Sequence, residues 1–557
     1  MKKSIIISVF SILVFNACVE DFLDRKIETD LKENQVFSSY ARIRDFLNNI
    51  YNHIPVGYSR IDGSMLAGAT DDAEFTRENS AIQNFNNGSW NQFSNPDNQW
   101  ENMYTGIQKC NRFLENTEGV TFENIRYTDP QTYKTQTNNL AKFRLEARVL
   151  RAFFYFELIK RYGDVPLILS TLTPESDLNL PRNSYEECVE FIVNECDGVL
   201  DSSIPSDISL PVSWGSADAG RVDKGTVRAL KARVLLYAAS PLHNSNNSLE
   251  KWDKAAAAAI EVFNMNKYNT LHNDYTALFR SVSQQEIIFA RRMNASNGFE
   301  RENYPIGFEG GQSGITPSQN LVDDYEMRDG TEFDWNNPVH AANPYENRDP
   351  RLEMTVITNN SNWNGRAVEI WAGGMDGKGK ERATKTGYYL KKHVAENLDF
   401  ITGTTAFHTW IIFRMAEVYL NYAEAMNEAY GPESDPNGYG MTALEALNRV
   451  RDRGGVKMPL LNSGQWNKNT FREKVRHERR IELAFEEHRP WDIRRWKQIE
   501  PFQSPLRGVE ITKTGEGIFN YEPITIESRV FSEKMLLYPI PFSEVVKSPK
   551  IVQNPNW

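Results

Sequence analysis

The sequence predicts a mainly α-helical protein: a helical scaffold carrying long loop excursions and few short strands. Three observations lead there. Leu145, Val149, Ala152, Phe156 and Ile159 recur at helical spacing, as do Val227, Leu230, Val234 and Ala238, and again Met415, Val418, Tyr422 and Met426. These Ala- and Tyr-rich patterns are followed by further helical patterns, so the helices read as pairs. The stretches between them are long and rich in Asn, Gly, Ser, Pro and Trp. Paired helices with small Ala contacts resemble tetratricopeptide hairpins, but the pairs are dispersed and keep no 34-residue period, so a regular solenoid is not expected.

In chain order, Lys2 and Lys3 precede an apolar run from Ile5 to Phe15, of signal-peptide length and too short to span a bilayer. Phe15-Asn16-Ala17-Cys18 reads as a lipobox, with residues 1–17 as leader and Cys18 as the lipidation site. A mature chain starting there hangs from a membrane by lipid, outside the cytoplasm. Residues 18–36 form a tether, with Glu20, Asp21 and Asp24 around Phe22-Leu23. Residues 37–557 are expected as one domain.

Its scaffold is placed mainly at 37–55, 100–114, 140–200, 221–265 and 410–500. The helix through Ile159 should stop at Tyr162-Gly163-Asp164-Val165-Pro166, a Gly stop followed by Pro. Ser184 with Glu187 is a capping-box pattern opening the next helix, which runs to Leu200. Trp252–Ile260, Met441–Arg453 (ended by Gly454-Gly455) and Phe471–Glu487 are further helices. The excursions lie mainly at 56–100, 115–138, 201–220, 265–412 and 500–557. Binding loops are expected at 56–99 and 290–400, because long ordered loops on a scaffold are where binding concentrates.

Bulk properties exclude some functions. The net charge of −11 argues against a phosphate-neutralising nucleic-acid binder. No apolar run after Cys18 can cross a bilayer, so anything that crosses must be a partner. Cys188 and Cys196 lie about 12 Å apart along one helix, too far for a disulfide. With Cys110 they read as buried thiols.

Ordered motifs cover nearly the whole chain: Asp21-Phe-Leu-Asp24 after Cys18; Trp100, Tyr104, Ile107 and Asn111; Glu146 to Phe153, then Tyr162-Gly-Asp-Val-Pro166; Gly220-Arg221; Pro317 to Tyr325; Asn347-Arg-Asp-Pro-Arg351; Gly387-Tyr-Tyr389; Arg414 to Ala425; Glu478 to Arg489, then Trp491 to Trp496; Tyr538-Pro-Ile-Pro541; and Gln553-Asn-Pro555. In this series the chain resembles the SusD/RagB family of outer-membrane lipoproteins. The resemblance implies a SusD-like fold with four tetratricopeptide-like helix pairs and a loop-rich ligand-binding half. It implies exposure on the outer-membrane surface and a partner, a SusC-like TonB-dependent transporter. The implied ligand is an oligosaccharide or polysaccharide, or in some relatives a peptide. Most motif residues read as structure: Glu478, Arg479, Arg494 and Arg495 as ion pairs or helix-end contacts, Trp491 and Trp496 as core.

Enzyme signatures are incomplete. His477-Glu478 lacks a second histidine, since 481 is Ile, and Gly374-x4-Gly379-Lys380 has Glu381 where a phosphate loop needs Ser or Thr. No Gly-x-Ser-x-Gly elbow occurs. Adjacent acidic pairs such as Asp323-Asp324 do not define glycosidase spacing. No cofactor or metal is expected, except that Asp435-x-Asn437-Gly438 matches half of a calcium loop and lacks the closing Glu.

A sugar offers C–H faces to aromatic rings and hydroxyl edges to polar side chains. Aromatics in polar loops are therefore the candidate ligand contacts. The first cluster is Asp71, Asp72 and Arg77 with Trp90, Asn91 and Phe93; the second is Tyr304 and Phe308; the third is Trp335, Trp363 and Trp371. If the ligand were a peptide, Arg301, Glu302 and Glu309 could answer its charged ends. A helical scaffold for protein partners is a third reading and predicts a broad apolar groove.

Overall fold

The computed structural model describes residues 33–215, 218–268, 270–280 and 286–557. Cys18, the leader and most of the tether lie outside them. Helix occupies 42% and strand 12%, so the chain is mainly α, as its periodicity predicts.

The main helices are α1 (Tyr40–Tyr51), α2 (Trp100–Asn116), α3 (Pro130–Tyr162), α4 (Tyr185–Leu200), α5 (Lys224–Ala239), α6 (Leu249–Phe263), α7 (Met415–Tyr430), α8 (Ala443–Arg451), α9 (Lys468–Glu482) and α10 (Arg489–Arg495). From α2 to α8 each packs on the next, and α9 returns to α7. Their ends follow capping chemistry. The Ser184 hydroxyl accepts the Glu187 N–H at 3.2 Å, and the Glu187 carboxylate accepts the Ser184 N–H at 2.7 Å. Equivalent boxes open α5, α8 and α9. Helix α3 stops at Gly163, whose φ of 71° suits glycine.

Helix α3 starts earlier than expected. The Asp129 carboxylate accepts the Thr132 N–H at 3.0 Å, and Pro130 occupies the first turn, so the helix runs through a stretch read as loop. Residues 131–139 are mostly polar and carry no apolar stripe, which hides that extension from periodicity. No disulfide joins the described cysteines; Cys110, Cys188 and Cys196 are buried and free.

Three strand pairs matter for the site. β1 (Ala73–Phe75) pairs antiparallel with β3 (Ile315–Pro317). β2 (Ile287–Ser296) pairs with β4 (Ala406–Arg414), which leads directly into α7. β5 (Leu506–Gly515) and β6 (Ile518–Glu527) form a hairpin in a stretch expected as an excursion. Two pairs of two-residue strands complete the loop half. One continuous buried apolar cluster runs from Phe37 to Ile551.

At the junction of the helices and the loop half lies a buried ionic network. Glu482, at the end of α9, accepts hydrogen bonds from Arg351 (3.0 Å), Arg414 (2.8 Å) and Arg453 (2.7 Å). Glu286 pairs with Arg414 and Arg453, Glu486 with Arg414 and Lys392, and Glu478 with Arg351 and Arg451. Arg479 bonds Asp492, and Arg495 bonds Glu424 and Asp492. Arg494 donates to the Met535 and Pro490 carbonyls. These are the structural roles their motif suggests, and Trp491 and Trp496 are buried.

Burial alone would raise these carboxyls, but the arginines outweigh it. Arg453, Arg414 and Arg351 hold Glu482 down at about 2, and Arg495 does the same for Glu424. A depressed folded pKa gives stability above the ordinary value near 4.5 that is lost as pH falls toward 2. The thermal midpoint should therefore fall steeply between pH 4.5 and 2, as followed by circular dichroism. Glu482→Gln leaves three buried guanidiniums undercompensated and should cost about 3–5 kcal/mol in urea unfolding at pH 7.

Candidate ligand-binding cleft

The two loop segments expected to bind ligand are stitched together by backbone. Across β1 and β3, Ala73 faces Pro317, Glu74 faces Thr316 and Phe75 faces Ile315. Side chains repeat the link: Arg77 ion-pairs with Glu302, and Lys385 reaches Glu78 at 3.0 Å and Glu74 at 3.6 Å. Over this seam opens a cleft of about 840 Å3. Its walls are residues 76–79, residues 378–385 and Ile524-Thr525-Ile526 of β6.

Close backbone packing holds the hairpin wall against the second segment. The Val509 N–H donates to the Thr386 carbonyl at 2.8 Å. A Cβ on Gly508 would sit 2.7 Å from the Thr386 Cα, and one on Gly387 (φ 84°) would sit 2.6 Å from the Val509 carbonyl oxygen. Only glycine allows that approach at both positions.

The acidic pair of the first cluster lies beneath the cleft. Asp71 is bound bidentately by Arg489 at 2.8 and 2.9 Å and also meets Arg480, while Asp72 accepts from Arg480 Nε at 2.9 Å. Burial pushes both carboxyls up; Arg480 and Arg489 outweigh it for Asp71, whereas Asp72, with Asp71 beside it, stays raised. This pair anchors β1 to α9 and α10 and is not presented to a ligand. Arg77 does line the cleft. Glu74, in β1, is pushed up to about 7 by burial, against the pull of Lys385.

The aromatic candidates are scattered. Trp90 is 2% exposed, wedged among Phe85, Tyr538 and Trp557. Its polar neighbours in sequence disguise a core residue whose partners come from the far end of the chain. Asn91 closes a turn, its side-chain oxygen accepting the Phe93 N–H at 2.9 Å. Phe93 is 71% exposed and leans on Phe542, outside the cleft wall. Tyr304 and Trp363 are buried against each other, and Tyr304 donates to the Ala395 carbonyl at 2.6 Å. Phe308 lies half-buried under the Arg366 guanidinium, itself held by Asp376. Trp335 is half-buried beside Phe333 and donates to Asp323 at 2.9 Å. Trp371 is half-buried against Phe519, with Lys513 over its ring, and fastens the hairpin. None of these rings lines the cleft.

Sequence reasoning missed Lys378, Lys380, Arg382 and Lys385. Their signal was visible as a run of cations spaced by two or three residues, in a segment tested only as a phosphate loop. Asp435 accepts the backbone N–H groups of Tyr439 and Gly440, at 2.9 and 2.7 Å, so its loop is closed by the chain itself.

Comparison with known proteins agrees with this architecture. A family model described as "SusD family" matches residues 285–557, and one described as "Starch-binding associating with outer membrane" matches residues 21–204. A SusD-like protein of Bacteroides fragilis superposes with a TM-score of 0.77 at 27% identity, over 95% of this chain and 99% of its own. A SusD-like carbohydrate binding protein of the same organism gives 0.76 at 24%, over 92% and 99%. SusD-like protein P25 of Formosa agariphila is 22% identical, over 89% of this chain and 90% of its own. The chain belongs to the SusD/RagB family.

Trp90→Ala removes a core ring and should cost about 3–5 kcal/mol in urea unfolding, whereas Phe93→Ala should stay within about 1 kcal/mol.

Proposed function

We propose that this protein is a lipid-anchored, surface-exposed binding protein that captures a glycan and passes it to a SusC-like TonB-dependent transporter. The observation that carries the reading is the convergence of residues 76–79 and 378–385, two loop segments far apart in sequence, on one cleft above a helical scaffold. Its volume of about 840 Å3 suits several sugar residues. Asn79 and Thr525, both exposed, supply short polar groups of the kind that hydroxyl edges require. Family membership and the carbohydrate-binding name of a solved relative point the same way. Among the described residues no helix is long and apolar enough to cross a membrane. In this reading Cys18 anchors the chain and a partner carries the ligand across. Binding and delivery, without chemistry on the ligand, account for the cleft.

The peptide reading has less support. Arg301 is occupied by the Phe400 carbonyl and Asn297, and Glu302 by Arg77. Only Glu309 of that set is exposed and without such a contact in the described structure.

Calorimetry of the soluble form starting after Cys18, against a polysaccharide panel and a peptide digest, tests the reading. Saturable heat is expected with a glycan, abolished by Asn79→Trp, which fills the cleft without changing its charge. Heat with peptides alone would overturn it. Pull-down of the transporter with the lipidated protein, lost in Cys18→Ala membranes, tests the anchoring.

A further inference from the structure

We infer that the ligand of this cleft is anionic, a glycan bearing carboxylate or sulfate groups; the inference rests on the glycan reading above and narrows it. A neutral sugar is held chiefly by stacking its C–H faces on aromatic rings. No side chain lining this cleft is aromatic, and its aliphatic side chains are Ala383, Ile524 and Ile526. Five cations line it instead: Arg77, Lys378, Lys380, Arg382 and Lys385. Glu78 and Glu381 are the lining carboxylates. This concentration runs against the chain as a whole, whose net charge is −11.

The partners of these cations separate scaffold from recognition. Arg77 is paired with Glu302, Lys378 with Glu510, and Lys385 with Glu74 and Glu78. Lys380 and Arg382 are exposed, and their described bonds go to uncharged acceptors, the Met375 carbonyl and the Gln312 side-chain oxygen. A neutral acceptor leaves the positive charge uncompensated. An arriving carboxylate or sulfate can exchange for those acceptors and gain a charge-assisted bond, bidentate at Arg382.

Two of the lining residues also carry polar atoms buried beneath the surface. Thr76 is buried with its hydroxyl lacking any protein partner, and the Arg77 Nε is likewise unpaired. Both belong to the cleft wall. Glu381 sits on the rim as the opposing charge. Its charge opposes that of an arriving anion, and Lys380 and Arg382 flank it in the chain.

The test is a glycan array carrying neutral, uronate-bearing and sulfated oligosaccharides, probed with the soluble chain, followed by titration of the best binder. The expected result is retention of acidic glycans, affinity falling with added NaCl, and a loss of about tenfold or more in Lys380→Gln/Arg382→Gln. Glu381→Gln should bind as tightly as the parent or tighter. Uronate-only and sulfate-only arms tell which anion is read. All these variants change exposed side chains, so matched melting curves will show the fold intact. Retention of neutral glycans, sensitive to Asn79→Trp but indifferent to Lys380→Gln/Arg382→Gln and to salt, overturns the anionic inference and leaves the glycan reading standing. No glycan binding at all overturns both.

Discussion

The fold depends on burying charge at one point, the carboxylate of Glu482 with its three arginines. Arg351 comes from the loop half, Arg414 from the end of β4, and Arg453 from just beyond α8. None of these groups could be buried alone, because an unpaired charge in a low-dielectric interior costs several kcal/mol. They must arrive together, so the network fixes how the loop half sits on the helices. Apolar packing alone would permit sliding; a set of directed, mutually compensating bonds does not. The carboxylates under β1 work in the same way at smaller scale, fastening the binding segment to α9 and α10 through Arg480 and Arg489.

The helical scaffold was legible in sequence because its information is local. Apolar residues at 3.6 spacing, Ser184 with Glu187, and Gly163 with Pro166 each act within a few residues of one another. The first half of α3 was not legible, since its polar surface carries no stripe. The hairpin of β5 and β6 was missed for a related reason: it is a two-stranded ribbon with only one packed face, and its strands interleave charged and apolar residues. Sequence order therefore placed the secondary structure well and the loop half poorly.

The site was read less well than the fold, and Trp90 shows why. An aromatic among Asn, Gly and Ser looks unburied when only neighbours in sequence are considered. Its burial comes from Tyr538 and Trp557, more than four hundred residues away. Asp71 and Asp72 mislead likewise, because the arginines that neutralise them lie in α9 and α10. In contrast, Arg77 keeps its place on the cleft since its partner Glu302 comes from the opposite binding segment. Lone loop aromatics are a poor guide to exposed rings in a chain whose loops are themselves packed; the run Lys378, Lys380, Arg382 and Lys385 is what the fold leaves lining the cleft.

The hairpin wall has two faces with separate duties. Val509, Ile511, Phe519 and Tyr521 share one side, with Phe519 against Trp371 and Tyr521 against Tyr345, while Ile524, Thr525 and Ile526 line the cleft. Strand alternation puts Ile524 on the side opposite that set, because adjacent positions face opposite sides. Replacing the cleft-facing residues would alter the lining while leaving the packed face and the Val509–Thr386 bond in place. The same scaffold can therefore be re-addressed to a different ligand by editing alternate positions of one ribbon, with no repacking of the helices beneath it.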